Sequence, residues 1–136
     1  IQTRNGCTNQ TCMLVVEIEF SEGEFSEDSA VELVRNELLL APPSALTLPA
    51  ANVSFGLGPL ASNGTIPIVL HATESALFVT LTTQAAGRFS DNAFLLLPGA
   101  THTIDFLPWG GGLNEDGLSL LHSTLRVEHL QQYLVQ

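Results

Sequence analysis

Apolar and polar residues alternate along most of this chain. Leu14, Val16, Ile18 and Phe20 alternate with Val15, Glu17 and Glu19, the period-2 pattern of a strand with one buried face and its acids toward water. Val31, Leu33 and the leucines at 38–40 read as a second strand. Pro42-Pro43 ends it, because proline cannot donate a ladder hydrogen bond. A helix capped by Asp28-Ser29 is the alternative for this segment. Val53, Phe55 and Leu57 alternate next, Gly58-Pro59 and Ser62-Asn63-Gly64 turn the chain, and Ile66, Ile68 and Leu70 resume the alternation, which predicts antiparallel neighbours. Further strands are predicted at Leu77, Val79 and Leu81, at 94–97, at Ile104 with Phe106 after the Pro98-Gly99 turn, and at Leu121, Ser123, Leu125 and Val127. About eight short strands separated by turn signals predict an all-β fold, an antiparallel immunoglobulin-like β-sandwich of about seven to eight strands.

Composition narrows what such a sandwich does. With 136 residues the chain is expected to be a single domain over 1–136, with an entry loop at 1–12, the sandwich at 13–130 and a tail at 131–136. A complete (β/α)8 barrel needs roughly 250 residues, so chemistry that requires one belongs to another polypeptide segment. The chain has no lysine, and four arginines face fourteen acids for a formal net charge of -10. Arg4, Arg35, Arg88 and Arg126 lie far apart in sequence, which argues against nucleic acid and an anionic membrane as partners. Eight of the acids fall between Glu17 and Glu37 and read as a solvated face. No apolar run reaches the ~18–20 residues of a membrane-spanning helix. Ile1 follows no leader sequence and reads as a processed or cut end.

Cys7 and Cys12 bracket a polar, turn-prone loop, whose ends can meet at the Cα separation a disulfide requires. Free thiols, part of a metal site and a redox pair are the alternatives; zinc sites and redox motifs use tighter spacings. The sequons at Asn9, Asn52 and Asn63 are candidate N-glycosylation sites. With the cysteines they favour a lysosomal or secreted location.

Candidate chemistry is sparse. Glu37 and Glu115, each after an asparagine, invite comparison with the paired carboxylates of glycosidases, but nothing in the sequence separates their pKa values. His71, His102, His122 and His129 are scattered, and Asn114-Glu115-Asp116-Gly117 is too short for a Ca2+ loop and reads as a turn. Neither a cofactor nor a metal site is expected. Arg88-Phe89-Ser90-Asp91-Asn92-Ala93-Phe94 is the most distinctive segment: its Asp and Asn suit a turn, and its phenylalanines suit core anchors. Trp109, the only tryptophan, reads as a core plug, an interdomain contact or an exposed platform for a sugar.

The segment from Gly87 to Leu95, followed by Thr103-Ile104-Asp105-Phe106-Leu107-Pro108-Trp109, resembles the C-terminal immunoglobulin-like domain of animal-type, lysosomal β-mannosidases of glycoside hydrolase family 2. The Cys7–Cys12 loop, Asn36-Glu37-Leu38-Leu39-Leu40 and residues 125–134 resemble further parts of that domain in the same order. The resemblance implies an exo-acting β-mannosidase that removes terminal β-linked mannose from the non-reducing ends of glycan fragments by a retaining mechanism. Its two glutamates lie on a (β/α)8 barrel upstream, so no catalytic residue carries over, and the implied partners are that catalytic domain or heavy chain and N-linked glycans. The resemblance carries over a Cys7–Cys12 disulfide and a signature turn at Arg88, Ser90, Asp91 and Asn92, taken as structural. An independent carbohydrate-binding or adhesion module on the same sandwich is the alternative. Ala93 stands where a glycine is common, and Gly110-Gly111-Gly112 departs from the family pattern.

Overall fold

The computed structural model describes residues 7–21, 31–110 and 112–134. Most of the acidic connector expected between the first two strands, at 22–30, lies outside the described residues, as do residues 1–6 of the entry loop, Gly111, and positions 135–136 of the tail. The protein is mostly antiparallel strand. Contacts divide the chain into two compact units, 1–48 and 49–136.

The first unit is a hairpin of β1 (Met13–Ser21) and β2 (Val31–Leu39), paired antiparallel from Met13↔Leu39 to Ser21↔Val31. This register puts Leu14, Val16 and Ile18 on one face with Leu38, Asn36 and Val34. The alternation therefore sets the faces as the sequence indicates. The apolar face is not buried, however: Leu14, Val16, Ile18, Val34 and Leu38 are each at least 40% exposed. On the opposite face, Arg35 Nε lies 2.9 Å from a Glu37 carboxylate oxygen and 4.0 Å from one of Glu17, so two of the expected solvated acids flank a guanidinium. Cys7 and Cys12 are joined in a disulfide with Cα atoms 5.6 Å apart. The Thr47 N–H, beyond the short 3-10 turn at Pro43–Ala45, donates to the Gln10 carbonyl at 2.8 Å.

The second unit holds the sandwich. Its four-stranded sheet has the order β3 (Val53–Leu57), β4 (Ile66–Ala72), β8 (His102–Pro108), β6 (Gly87–Phe89). Its three-stranded sheet has the order β7 (Phe94–Leu96), β5 (Ala76–Thr82), β9 (Arg126–Glu128). Four strands facing three is the count of a constant-type immunoglobulin sandwich. Ile66, Ile68 and Leu70 alternate with less buried neighbours along β4, and Ile66 and Ile68 pair across the sheet with Phe106 and Ile104. Val79, Leu81 and Leu96 belong to the same buried cluster from the other sheet. β5 bulges between its Ala76↔Leu96 and Val79↔Phe94 pairs, and Phe78 there takes φ +52°.

The segment expected to form the last long strand is mostly helix. α1 (Glu115–Thr124) is capped by the Asn114 side chain, which accepts from the Gly117 N–H at 2.9 Å, and its first turn carries Glu115 and Asp116. Acids there suit the positive end of the helix dipole. Leu118, Leu121 and Leu125 recur at helical spacing, and Leu121 is completely buried. This 3.6-residue spacing overrides the apparent alternation of Leu121, Leu125 and Val127. The expected strand is therefore reduced to β9, and Asn114 to Gly117 begin a helix where a turn or calcium loop was considered.

Gly87 packs where no side chain fits. A Cβ on it would fall against the Phe106 ring and lie 2.7 Å from the Leu107 carbonyl oxygen, while Phe106 is fully buried with its ring edge-on to Phe89 at 5.5 Å. Gly87→Ala is expected to lower stability by about 1–3 kcal/mol through overpacking. Urea unfolding of the whole chain checks this, and an unchanged midpoint would refute it.

Candidate functional site

Between β6 and β7 the chain leaves one sheet for the other within residues 90–93. Ser90 belongs to the first sheet: its N–H donates to the Asp105 carbonyl, and its Oγ accepts from the Asp105 N–H, both at 2.8 Å. Asn92 belongs to the second. Its Oδ1 accepts from the Leu81 N–H at 2.8 Å and its Nδ2 donates to the Leu81 carbonyl at 3.0 Å. The side-chain amide thus substitutes for a strand backbone. Asp91 Oδ1 accepts from the Asn92 N–H at 2.7 Å, and the Ala93 N–H donates to the Val79 carbonyl at 2.9 Å.

Ala93 has φ +64°, which disfavours an L-residue by about 1 kcal/mol relative to glycine. Glycine would adopt this conformation without that cost. Arg88 is exposed on β6 opposite Leu107 and makes no salt bridge among the described residues. The polar groups of Ser90, Asp91 and Asn92 are thus engaged with backbone.

Trp109 is 69% exposed just beyond β8, and its N–H donates to the Ala86 carbonyl at 3.2 Å. The core-plug reading is therefore corrected: the indole follows the last strand residue into a turn with Gly110 at φ +81° and is left on the surface. Glu37 is engaged by Arg35, and Glu115 opens α1. His71 is exposed with Nδ1 3.5 Å from Thr101 Oγ1, the His102 ring lies 4.4 Å from that of Phe94, and His122 is exposed on α1. No cluster of three or more His, Cys, Asp or Glu side chains suited to a metal occurs among the described residues. The sequon asparagines Asn9, Asn52 and Asn63 are all exposed. Asn63 Oδ1 accepts from both the N–H and the hydroxyl of Thr65, at 3.1 and 2.9 Å.

The C-terminal segment holds a buried polar latch that sequence reasoning missed. Gln131 Nε2 donates to the Ser75 carbonyl at 2.6 Å, while its Oε1 accepts from the Leu77 N–H at 3.2 Å and lies 3.2 Å from Nδ1 of His129. His129 is 3% exposed. A Gln-Gln dipeptide after a strand carries no signal for such a contact, because its partners lie more than fifty residues away.

The family model of the mannosidase immunoglobulin-fold domain matches residues 48–133. The chain belongs to this family. The matched span begins at the boundary between the two units and covers the second as far as residue 133, so the seven strands of β3 to β9 and α1 constitute the mannosidase Ig-fold domain. No curated protein matches the chain at a meaningful level. The Ser90–Asn92 crossing lies inside the Ig-fold domain, while the Cys7–Cys12 loop lies outside the matched residues.

Two expectations follow for the Ig-fold domain. Asn92→Ala leaves the Leu81 N–H and carbonyl without their partner and is expected to cost about 2–3 kcal/mol, read as a lower midpoint in chemical denaturation. Loss within experimental error of zero would refute the bridging role. Tyr133, the only tyrosine, donates its hydroxyl to Glu128 at 2.7 Å. That bond, followed by desolvation and the Glu128 charge, raises the phenol above its ordinary value of 10. The native state holds this proton more tightly than the unfolded chain, so the contribution is complete below pH 10 and fades as pH rises through the folded value. Absorbance titration should place Tyr133 above a free tyrosine, and Glu128→Ala should bring it back down.

Proposed function

We propose that the chain is the C-terminal accessory part of an exo-β-mannosidase of glycoside hydrolase family 2, of the animal, lysosomal type. That enzyme hydrolyses terminal non-reducing β-D-mannose from glycan fragments. The catalytic (β/α)8 barrel and its glutamate pair reside outside this chain, in an upstream domain or a separate heavy chain. The match of residues 48–133 to the mannosidase Ig-fold domain carries this reading. The Cys7–Cys12 disulfide and the exposed sequon asparagines fit passage through an oxidising, glycosylating compartment, which supports a lysosomal or secreted location with N-linked glycans on the chain.

In this reading the domain supplies a rigid sandwich surface against which the catalytic part packs. Interfaces of this kind rest on a few aromatic anchors, and Trp109, the only tryptophan and 69% exposed, is the anchor. The same exposure favours a second reading, a free carbohydrate-binding module with Trp109 stacking on a sugar.

The native mass of the purified protein is the test. The accessory reading expects copurification with a larger polypeptide, and Trp109→Ala is expected to loosen its retention by about tenfold or more. A monodisperse native species no larger than this chain would overturn it. A shift in tryptophan emission on adding mannosides to the chain alone would favour the free module.

A further inference from the structure

Beyond Trp109 and the crossing turn, the Ig-fold domain has an open depression of about 360 Å3 lined by Thr82, Thr83, Gln84, Ser123, Thr124 and Arg126. Its floor is fixed by internal hydrogen bonds. Thr83 and Thr124 hydroxyls meet at 2.9 Å, the Gln84 N–H donates to Thr124 Oγ1 at 3.0 Å, and the Thr124 hydroxyl donates to the Leu120 carbonyl at 2.6 Å. The Ser123 hydroxyl donates to the Ser119 carbonyl at 2.8 Å. The end of α1 therefore presents hydroxyl oxygens to the depression, with the carbonyls of Ser119 and Leu120 already engaged.

The rim is different. Thr82 and Arg126 are opposite each other across the β5–β9 pair, a spacing that keeps their side chains about 5 Å apart at the base. Thr82, Gln84 and Arg126 are exposed, and their side chains form no hydrogen bond or salt bridge among the described residues. No Asp or Glu lines the depression, although the chain carries fourteen acids to four arginines. A guanidinium without a carboxylate partner, beside a free amide and hydroxyls, is a donor set for a planar oxyanion with hydroxyl groups attached.

Electrostatics orient such a ligand. The C-terminal end of α1 carries the negative pole of its dipole, so the anion belongs at Arg126 and the ligand's hydroxyls toward Ser123, whose oxygen still has lone pairs to accept with. The lining includes no aromatic ring on which a neutral sugar would stack, which makes the charge contact necessary.

We propose that this depression is a subsite for an acidic sugar of the hexuronic acid class, its carboxylate held by Arg126 and its hydroxyls by Thr82, Gln84 and the end of α1. The site is separate from the mannosidase reading and does not depend on it. Amide chemical shifts of the whole chain, followed during titration with glucuronate, test it. Saturable shifts at Thr82, Gln84, Thr124 and Arg126, with a Kd on the order of millimolar, are expected. Glucose, without the carboxylate, and acetate, without the hydroxyls, should each bind at least about tenfold more weakly.

Arg126→Gln should abolish saturation while leaving the spectrum of the remaining domain and the thermal midpoint intact, since Arg126 is exposed on an edge strand. Arg126→Lys should retain part of the binding. No saturable shift with glucuronate would overturn the proposal, as would equal shifts with acetate, which mark an adventitious anion, or unchanged binding in Arg126→Gln.

Discussion

The sandwich depends on satisfying backbone polar groups where the chain changes sheets. Two apolar sheet faces attract each other without preferred register, but the strand ends between β6 and β7 leave the N–H and carbonyl of Leu81 and Asp105 in need of partners. Ser90 and Asn92 provide them with side chains that imitate main chain, one toward each sheet. An unpaired buried donor or acceptor costs about 1–3 kcal/mol, comparable to burying a large apolar side chain. The crossing therefore constrains how the layers align, with Gly87 and Phe106 packed immediately beside it.

The sequence made the central strands readable because their side chains alternate with period 2 and their inward residues are apolar. Ile66, Ile68, Leu70, Val79, Leu81, Ile104 and Phe106 are all buried. β6 escaped notice because Gly87–Phe89 is too short for a pattern and abuts a turn-like Ser-Asp-Asn run. The helix escaped because Leu121 and Leu125 fit both the alternation that runs on to Val127 and the helical spacing that starts at Leu118. Asn114 followed by two acids was the sign that separated them, since cap and dipole preferences favour that order. The strands β1 and β2 were legible in their faces but not in their burial, because alternation says which residues share a face and nothing about whether the face is covered.

Among site residues, Arg88 and Phe89, read as part of the turn, belong to strand β6, whereas Ser90 to Asn92 were legible as a turn from their side chains. The sheet-bridging role of Asn92 was not, because Leu81 is eleven residues away and nothing local announces the pairing. Trp109 illustrates a second limit. A tryptophan at the end of a strand has equal hydrophobic reason to turn inward or outward, and only the backbone path through Gly110 places it on the surface.

The latch at Gln131 has a kinetic side. β5 is the middle strand of its sheet, yet its entry at Ser75 and Leu77 is completed by a residue separated from them by 56 and 54 positions. Closing so long a loop loses entropy before any contact rewards it, and folds built on distant contacts form slowly. The pairing of β5 with β7 spans a much shorter stretch of chain, so the long closure falls on the Ser75–Leu77 end of β5 alone, whose two backbone groups gain their side-chain partner only when Gln131 arrives.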